Sequence, residues 1–128
     1  MEIEKVSGDY RPLILVAEDD DSNFKLIKAI IGKKCEILWA KNGEDIVNLF
    51  EENRDKAEAI LMDIKMPRMD GLEATHIIRS YSKDIPIIAL TAYAFETDKE
   101  LALEMGCNDF VTKPVSERTL RKALDKYS

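Results

Sequence analysis

The chain is short of most things that would staple it, span it or fray it. Its two cysteines, Cys35 and Cys107, lie far apart with no metal-type spacing. Free thiols in a reducing compartment are therefore the expectation, not a disulfide framework. With five glycines and four prolines in 128 residues, and no low-complexity stretch, fibrous and disordered classes are excluded. No apolar run approaches the roughly 20 residues of a membrane-spanning helix. The start, Met1-Glu2-Ile3-Glu4-Lys5, carries no apolar signal region. Positive charge is in deficit, with 19 Lys and Arg against 25 Asp and Glu and a net charge of −6. That argues against a sequence-independent nucleic-acid surface.

What is present reads as one globular domain long enough to bury most of its apolar surface. Residues 1–11 are polar and read as a flexible lead-in or linker, with the folded unit over 12–128. Pro12 opens the apolar run Leu13-Ile14-Leu15-Val16-Ala17, which stops abruptly at Glu18-Asp19-Asp20-Asp21. Ser22 is the expected cap of a helix whose Phe24, Ile27, Ile30 and Ile31 share a face and which ends at Gly32. A second strand over 36–40 leads through Asn42-Gly43 into a helix with the stripe Ile46, Leu49, Phe50. The third strand is read as Ala59 to Asp63, and the third helix as Gly71 to Tyr81 with Leu72, Ile77 and Ile78 inward. The fourth strand covers 86–91. Thr97-Asp98-Lys99-Glu100 has the pattern of a capping box for a helix that stops at Gly106. A short fifth strand, 109–112, precedes a helix capped by Ser116 with Leu120, Leu124 and Tyr127 at helical spacing.

Five strands thus alternate with five helices, and the strands are apolar throughout rather than alternating. That pattern belongs to a doubly wound α/β fold, a (βα)5 parallel sheet covered on both faces. Parallel strands gather their carboxyl ends on one edge. Glu18 and Asp19 lie there after the first strand, Asp63 after the third, Thr91 after the fourth and Lys113 after the fifth. In the order 2-1-3-4-5 the first and third strands are neighbours at the switch point, so the acids converge. Two carboxylates 4 Å apart repel by about 4 kcal/mol at an effective dielectric near 20. A hard divalent cation relieves this, and Mg²⁺ is commonly held by one or two carboxylates. Acids, a cation, a lysine and a hydroxyl suit phosphoryl transfer, with Asp63 as the nucleophile.

In its residues the chain resembles the receiver domain of two-component response regulators. The resemblance rests on Leu13-Ile14-Leu15-Val16-Ala17-Glu18-Asp19, Met62-Asp63-Ile64-Lys65-Met66-Pro67-Arg68-Met69-Asp70-Gly71, Ala89-Leu90-Thr91-Ala92 and Phe110-Val111-Thr112-Lys113-Pro114. It covers residues 13–126. It implies the flavodoxin-like receiver fold and a switch rather than a turnover enzyme. Asp63 would be the phosphoacceptor, fed by a phosphohistidine on a histidine kinase or a histidine-phosphotransfer domain. Mg²⁺, for which Mn²⁺ could substitute, would be bound by Asp19, Asp63 and the backbone carbonyl of Lys65, with Glu18 acting through water. Thr91 and Lys113 would hold the phosphoryl oxygens, and the Lys113-Pro114 bond would be cis. Thr91 and Phe110 would form the switch, acting on the fourth helix, fifth strand and fifth helix, a face where a homodimer could form. The stretches Glu18 to Asn23, Ala89 to Ala94 and Gly106 to Phe110 resemble receivers fused to hybrid sensor kinases, which implies a cytoplasmic setting.

Other readings fare worse. Asp19, Asp21 and Asn23 mimic an EF-hand opening, but Phe24 stands where the turn needs Gly and Ile30 where the closing Glu belongs. A haloacid-type phosphatase needs a second acid where Lys65 stands. A flavodoxin-like cofactor binder would need a phosphate-binding loop. The alternative from a different class is a non-phosphorylated pseudo-receiver that serves as a docking module. Asp70 reads as a helix cap, His76 as solvent-facing, and Tyr93 as a bulky group that could obstruct water at the site.

Overall fold

The computed structural model describes residues 10–92 and 95–127. The expected lead-in therefore lies outside the described residues apart from Tyr10 and Arg11, as does Tyr93. Five strands, β1 (Leu13–Ala17), β2 (Glu36–Ala40), β3 (Ala57–Asp63), β4 (Ile87–Thr91) and β5 (Asp109–Thr112), alternate with five helices. The helices are α1 (Asp21–Ile31), α2 (Gly43–Glu52), α3 (Gly71–Tyr81), α4 (Glu96–Met105) and α5 (Glu117–Lys126). The strands form one parallel sheet in the order β2-β1-β3-β4-β5. This is the expected topology, and it leaves β2 and β5 at the edges.

Successive side chains of a strand point to opposite faces, so an all-apolar strand feeds two cores. Ile14, Val16, Leu61, Ile88 and Leu90 meet Ile27 and Ile31 of α1 and Leu120 and Leu124 of α5. Leu15, Ala17, Ile60, Met62, Ile87 and Ala89 meet Ile46 and Phe50 of α2, Ala74 and Ile78 of α3 and Ala102 of α4. Both cysteines are buried free thiols, and burial above all pushes Cys35 up to about 11.

Several local expectations give way to tertiary detail. The cap of α1 is Asp20, not Ser22: its carboxylate accepts from Asn23 N–H at 3.0 Å, where a negative charge also suits the helix N-terminus. β3 begins at Ala57, because Ala57 already pairs with Leu13 of β1. β4 begins at Ile87, one residue beyond Pro86, which has no N–H to give the ladder. The inward face of α3 is Ala74, Thr75 and Ile78, while Leu72 and Ile77 are half-buried. Small residues let that helix approach the sheet closely, and the Thr75 hydroxyl is satisfied by Gly71 O at 2.8 Å. The capping box over 97–100 does not form. α4 starts at Glu96, Phe95 occupies the cap position without a side-chain bond, and its carbonyl takes Asp98 and Lys99 N–H. A reciprocal capping box appears instead on α5, between Ser116 and Thr119.

Candidate functional site

The site is assembled from the ends of four elements. β1 runs out at Ala17, yet Glu18 continues the ladder by donating its N–H to Ala40 O at 3.0 Å. The next residues turn into α1. Glu18 is therefore fully buried while Asp19 is exposed. β3 brings Asp63 to the same edge, 3% exposed. β4 ends on Thr91, also buried, whose carbonyl accepts Lys113 N–H at 2.7 Å. The Lys113-Pro114 peptide bond is cis. The Lys113 ammonium lies 2.8 Å from Glu18 Oε1 and 3.0 Å from Asp63 Oδ2.

The loop after β3 is held by two close approaches. Gly71 N–H donates to Ile64 O at 2.9 Å, and a Cβ on Gly71 would sit 2.1 Å from Asp63 O. Gly43 N–H donates to Met69 O at 3.0 Å, and a Cβ there would lie 2.2 Å from that oxygen. Both positions require glycine for space rather than for dihedral freedom. Within the loop Arg68 has φ 66°. Asp70 caps α3 by accepting from Glu73 N–H at 2.9 Å, and His76 points to solvent, as expected of both.

Charge does not balance at the strand tips. One half-buried cation, Lys113, faces two buried carboxylates, and the exposed Asp19 adds a third. Burial, then the neighbouring Glu18, pushes the Asp63 carboxyl up to about 7, with Lys113 pulling the other way. Burial alone would lower Lys113, but its contacts with Glu18 and Asp63 outweigh this and raise it. Oxygens of Glu18, Asp19 and Asp63 all lie within 4.8 Å of one another. Glu18 Oε1, buried, has its ion pair to Lys113 but no aligned hydrogen bond. A set of hard oxygens with surplus negative charge and an undersatisfied acceptor fits a small divalent cation.

The structure thus brings Glu18, Asp19, Asp63 and Lys113 into one cluster, with Thr91 joined to it through Lys113 N–H. Lys65 is exposed, and its N–H donates to Asp63 Oδ1 at a long 3.3 Å. Phe110 stands apart, half-buried, with Lys99 Nζ 4.5 Å from its ring centroid. Sequence reasoning did not find the part played by Trp39. Its indole N–H donates to Glu18 O at 2.7 Å. A single tryptophan one residue from the end of an edge strand beside β1 is the signal that could have found it. Nor did it find the collision partners of Gly43 and Gly71, which are backbone atoms distant in sequence.

A family model described as the response regulator receiver domain matches residues 14–125. The chain is 42% identical over 120 residues to hybrid signal transduction histidine kinase I of Dictyostelium discoideum. That alignment takes in 88% of this chain but only 7% of the kinase. The receiver domain of sensor histidine kinase PA1611 from Pseudomonas aeruginosa PAO1 was solved with a magnesium ion coordinated in its active site cleft. It matches with a TM-score of 0.82 at 33% identity, over 92% of this chain and 98% of that one. Another match comes from the Saccharomyces cerevisiae co-crystal structure of the histidine phosphotransfer signaling protein Ypd1 and the receiver domain of its downstream response regulator Ssk1. Its TM-score is 0.84 at 32% identity, over 91% of this chain and 88% of that one.

Proposed function

Because the chain belongs to the family of response regulator receiver domains, we propose that it accepts a phosphoryl group on Asp63 as one step of a phosphorelay. The observation that carries this is the single Lys113 ammonium shared by buried Glu18 and Asp63 beside Asp19. Such an arrangement leaves a reactive carboxylate and a cationic partner for incoming phosphoryl oxygens at one sheet edge. Asp63 Oδ attacks phosphorus in line, the P–N bond of a phosphohistidine breaks, and a P–O bond forms on Asp63. The imidazole departs with the electron pair and takes up a proton. Lys113 pairs with one phosphoryl oxygen and the Thr91 hydroxyl donates to another. A Mg²⁺ ion, held by Asp19, Asp63 and the Lys65 carbonyl with Glu18 behind a water, would supply charge neutralisation when bound.

The donor is a histidine kinase or a histidine-phosphotransfer domain, and the setting is cytoplasmic, as a receiver of the hybrid kinase type. Residues 12–128 form the receiver unit and 1–11 its lead-in. No described helix is long and apolar enough to cross a membrane. The responding surface is α4, β5 and α5, where Thr91 and Phe110 act as the switch. Exposed Leu101 and Leu103 on α4 support a homodimer or partner contact there. Readiness to phosphorylate is tested with a small phosphodonor and Mg²⁺, reading the acyl phosphate by mass. The parent chain gains a phosphoryl group and Asp63→Asn does not; a parent chain that stays unmodified, also with phosphorylated histidine-phosphotransfer donors, returns the molecule to the pseudo-receiver reading.

A further inference from the structure

The peptide between Glu18 and Asp19 joins the buried acid to the exposed one. Its six atoms lie in a plane, so fixing its oxygen fixes the directions in which both α-carbons project. Glu18 is held at three points: N–H to Ala40 O, Oε1 to Lys113, and Oε2 accepting Asp20 N–H at 3.2 Å. Asp19 is exposed, so its placement depends on its backbone. Asp20 on its far side is held by its N–H donating to Glu18 Oε2 and its carbonyl accepting from Phe24 N–H, and the Glu18–Asp19 peptide itself by the Trp39 indole N–H on Glu18 O, at 2.7 Å.

The indole is itself held in place. Phe24 of α1 stacks on it, with ring centroids 3.9 Å apart and planes 2° from parallel. Lys41 Nζ lies 4.7 Å from its centroid and pairs with Asp21 at 3.1 Å. The N-terminal turn of α1, the end of β2 and the Glu18–Asp19 peptide are therefore tied by one aromatic side chain. A half-buried tryptophan whose N–H finds a carbonyl is ordinary packing in itself. Here the carbonyl belongs to the peptide that carries two of the three convergent carboxylates.

We infer that Trp39 is a positioning residue for the acid cluster, its indole N–H orienting the Glu18–Asp19 peptide and thereby setting the affinity of the strand tips for a divalent cation. This rests on the proposed cation site. The hydrogen bond, not the ring, carries the effect. Deleting the donor lets the peptide rock and moves Asp19 away from Asp63. Deleting the stack weakens the fold, while the pairing of Trp39 with Val16 in the sheet and Lys41 over its ring keep the donor aimed.

The test replaces Trp39 with benzothienylalanine, which keeps the bicyclic shape and stacking but puts sulfur where the N–H stands. Isothermal titration of the full chain with MgCl₂ gives the affinity, and thermal unfolding in EDTA gives the stability. The isostere is expected to weaken Mg²⁺ binding about three- to tenfold, the range of one neutral hydrogen bond, with its melting midpoint lowered by about 2–6 °C for the same lost bond. Phe24→Leu is expected to lower the midpoint and keep Mg²⁺ binding within about twofold. An isostere that binds Mg²⁺ as tightly as the parent overturns the inference. So does one whose affinity falls no more than that of Phe24→Leu, since that is a purely structural role. A parent chain that binds no Mg²⁺ refutes the cation site itself, and this inference with it.

Discussion

Neutralising Asp63 should make the protein more stable, and increasingly so as pH rises. In the folded chain its carboxyl titrates near 7 rather than the ordinary 3.8, with burial the largest cause and Glu18 the next. Its folded value lies above its unfolded value, so between about pH 4 and pH 7 the folded chain holds a proton that the unfolded chain has released. Stability is therefore lost as pH rises through that window and is flat above it. At about 1.36 kcal/mol per pH unit the full effect is about 4 kcal/mol, of which more than half falls between pH 5 and pH 8. Relaxation of the Lys113 side chain, 16% exposed, returns part of this. We expect Asp63→Asn to be more stable than the parent by about 2–4 kcal/mol at pH 8 and by about half that at pH 5. Urea unfolding in EDTA at both pH values reads this as a rise in midpoint of about 1–2 M at pH 8. Adding Mg²⁺ should then raise the parent toward the variant, because only the parent keeps the full acid cluster for the ion. A variant no more stable than the parent at pH 8, or a gap that does not widen with pH, would refute the charge-imbalance reasoning.

Three further outcomes follow from the same contacts. Lys113→Gln strands two buried carboxylates and should cost about 2–4 kcal/mol at pH 8 but much less at pH 5, where Asp63 takes up a proton, as read by urea titration. Gly71→Ala places a Cβ 2.1 Å from Asp63 O, a backbone atom that cannot swing aside; it should destabilise by more than about 2 kcal/mol in the same assay and weaken Mg²⁺ binding in calorimetry. Cys35, pushed up to about 11 chiefly by burial, holds roughly one thiolate per few thousand molecules near pH 7.5. Iodoacetamide should leave it unmodified in the native chain and label it in 8 M urea, as followed by intact mass; rapid native labelling would show that the thiol is not enclosed.

β1 and β3 were readable because a long apolar run ending in an acid fits little besides a strand buried on both faces. The sheet order was readable because the acids, Thr91 and Lys113 make chemical sense together only if their strands are neighbours. What sequence could not supply was anything decided by the second partner of a contact. Ser22 and Asp20 are both good caps, and only the backbone path chose Asp20. Thr97 to Glu100 has the right letters for a capping box, but α4 starts two residues earlier, with Phe95 at the cap, so the letters fall inside the helix. On α3 size and spacing point to Leu72 and Ile77 as inward residues, whereas close packing on the sheet favours Ala74 and Thr75. Trp39 was opaque for the same reason. Two of its partners, Glu18 O and the Phe24 ring, are 21 and 15 positions away along the chain.

The electrostatics of the strand tips also explains why the pieces occur together. With one buried acid, Lys113 would form a closed ion pair, satisfied and with no use for a further ligand. With Glu18 and Asp63 both buried and Asp19 at the rim, the lysine cannot satisfy all three, and the surplus charge must be met by a proton, by a cation, or by instability. A proton on Asp63 disarms it as a nucleophile, since the neutral acid has lost the charge that attacks phosphorus. A divalent cation answers the same surplus while leaving the carboxylate ionised. Proton and cation therefore compete for one site, and apparent Mg²⁺ affinity should strengthen as pH rises from 6 to 8, when the Asp63 proton leaves without help from the metal. Calorimetry at the two pH values, in buffers of different ionisation enthalpy, reads both the affinity and the protons released. Affinity independent of pH, with no proton release at pH 6, would mean that Asp63 is already ionised there and that Lys113 alone balances the buried pair.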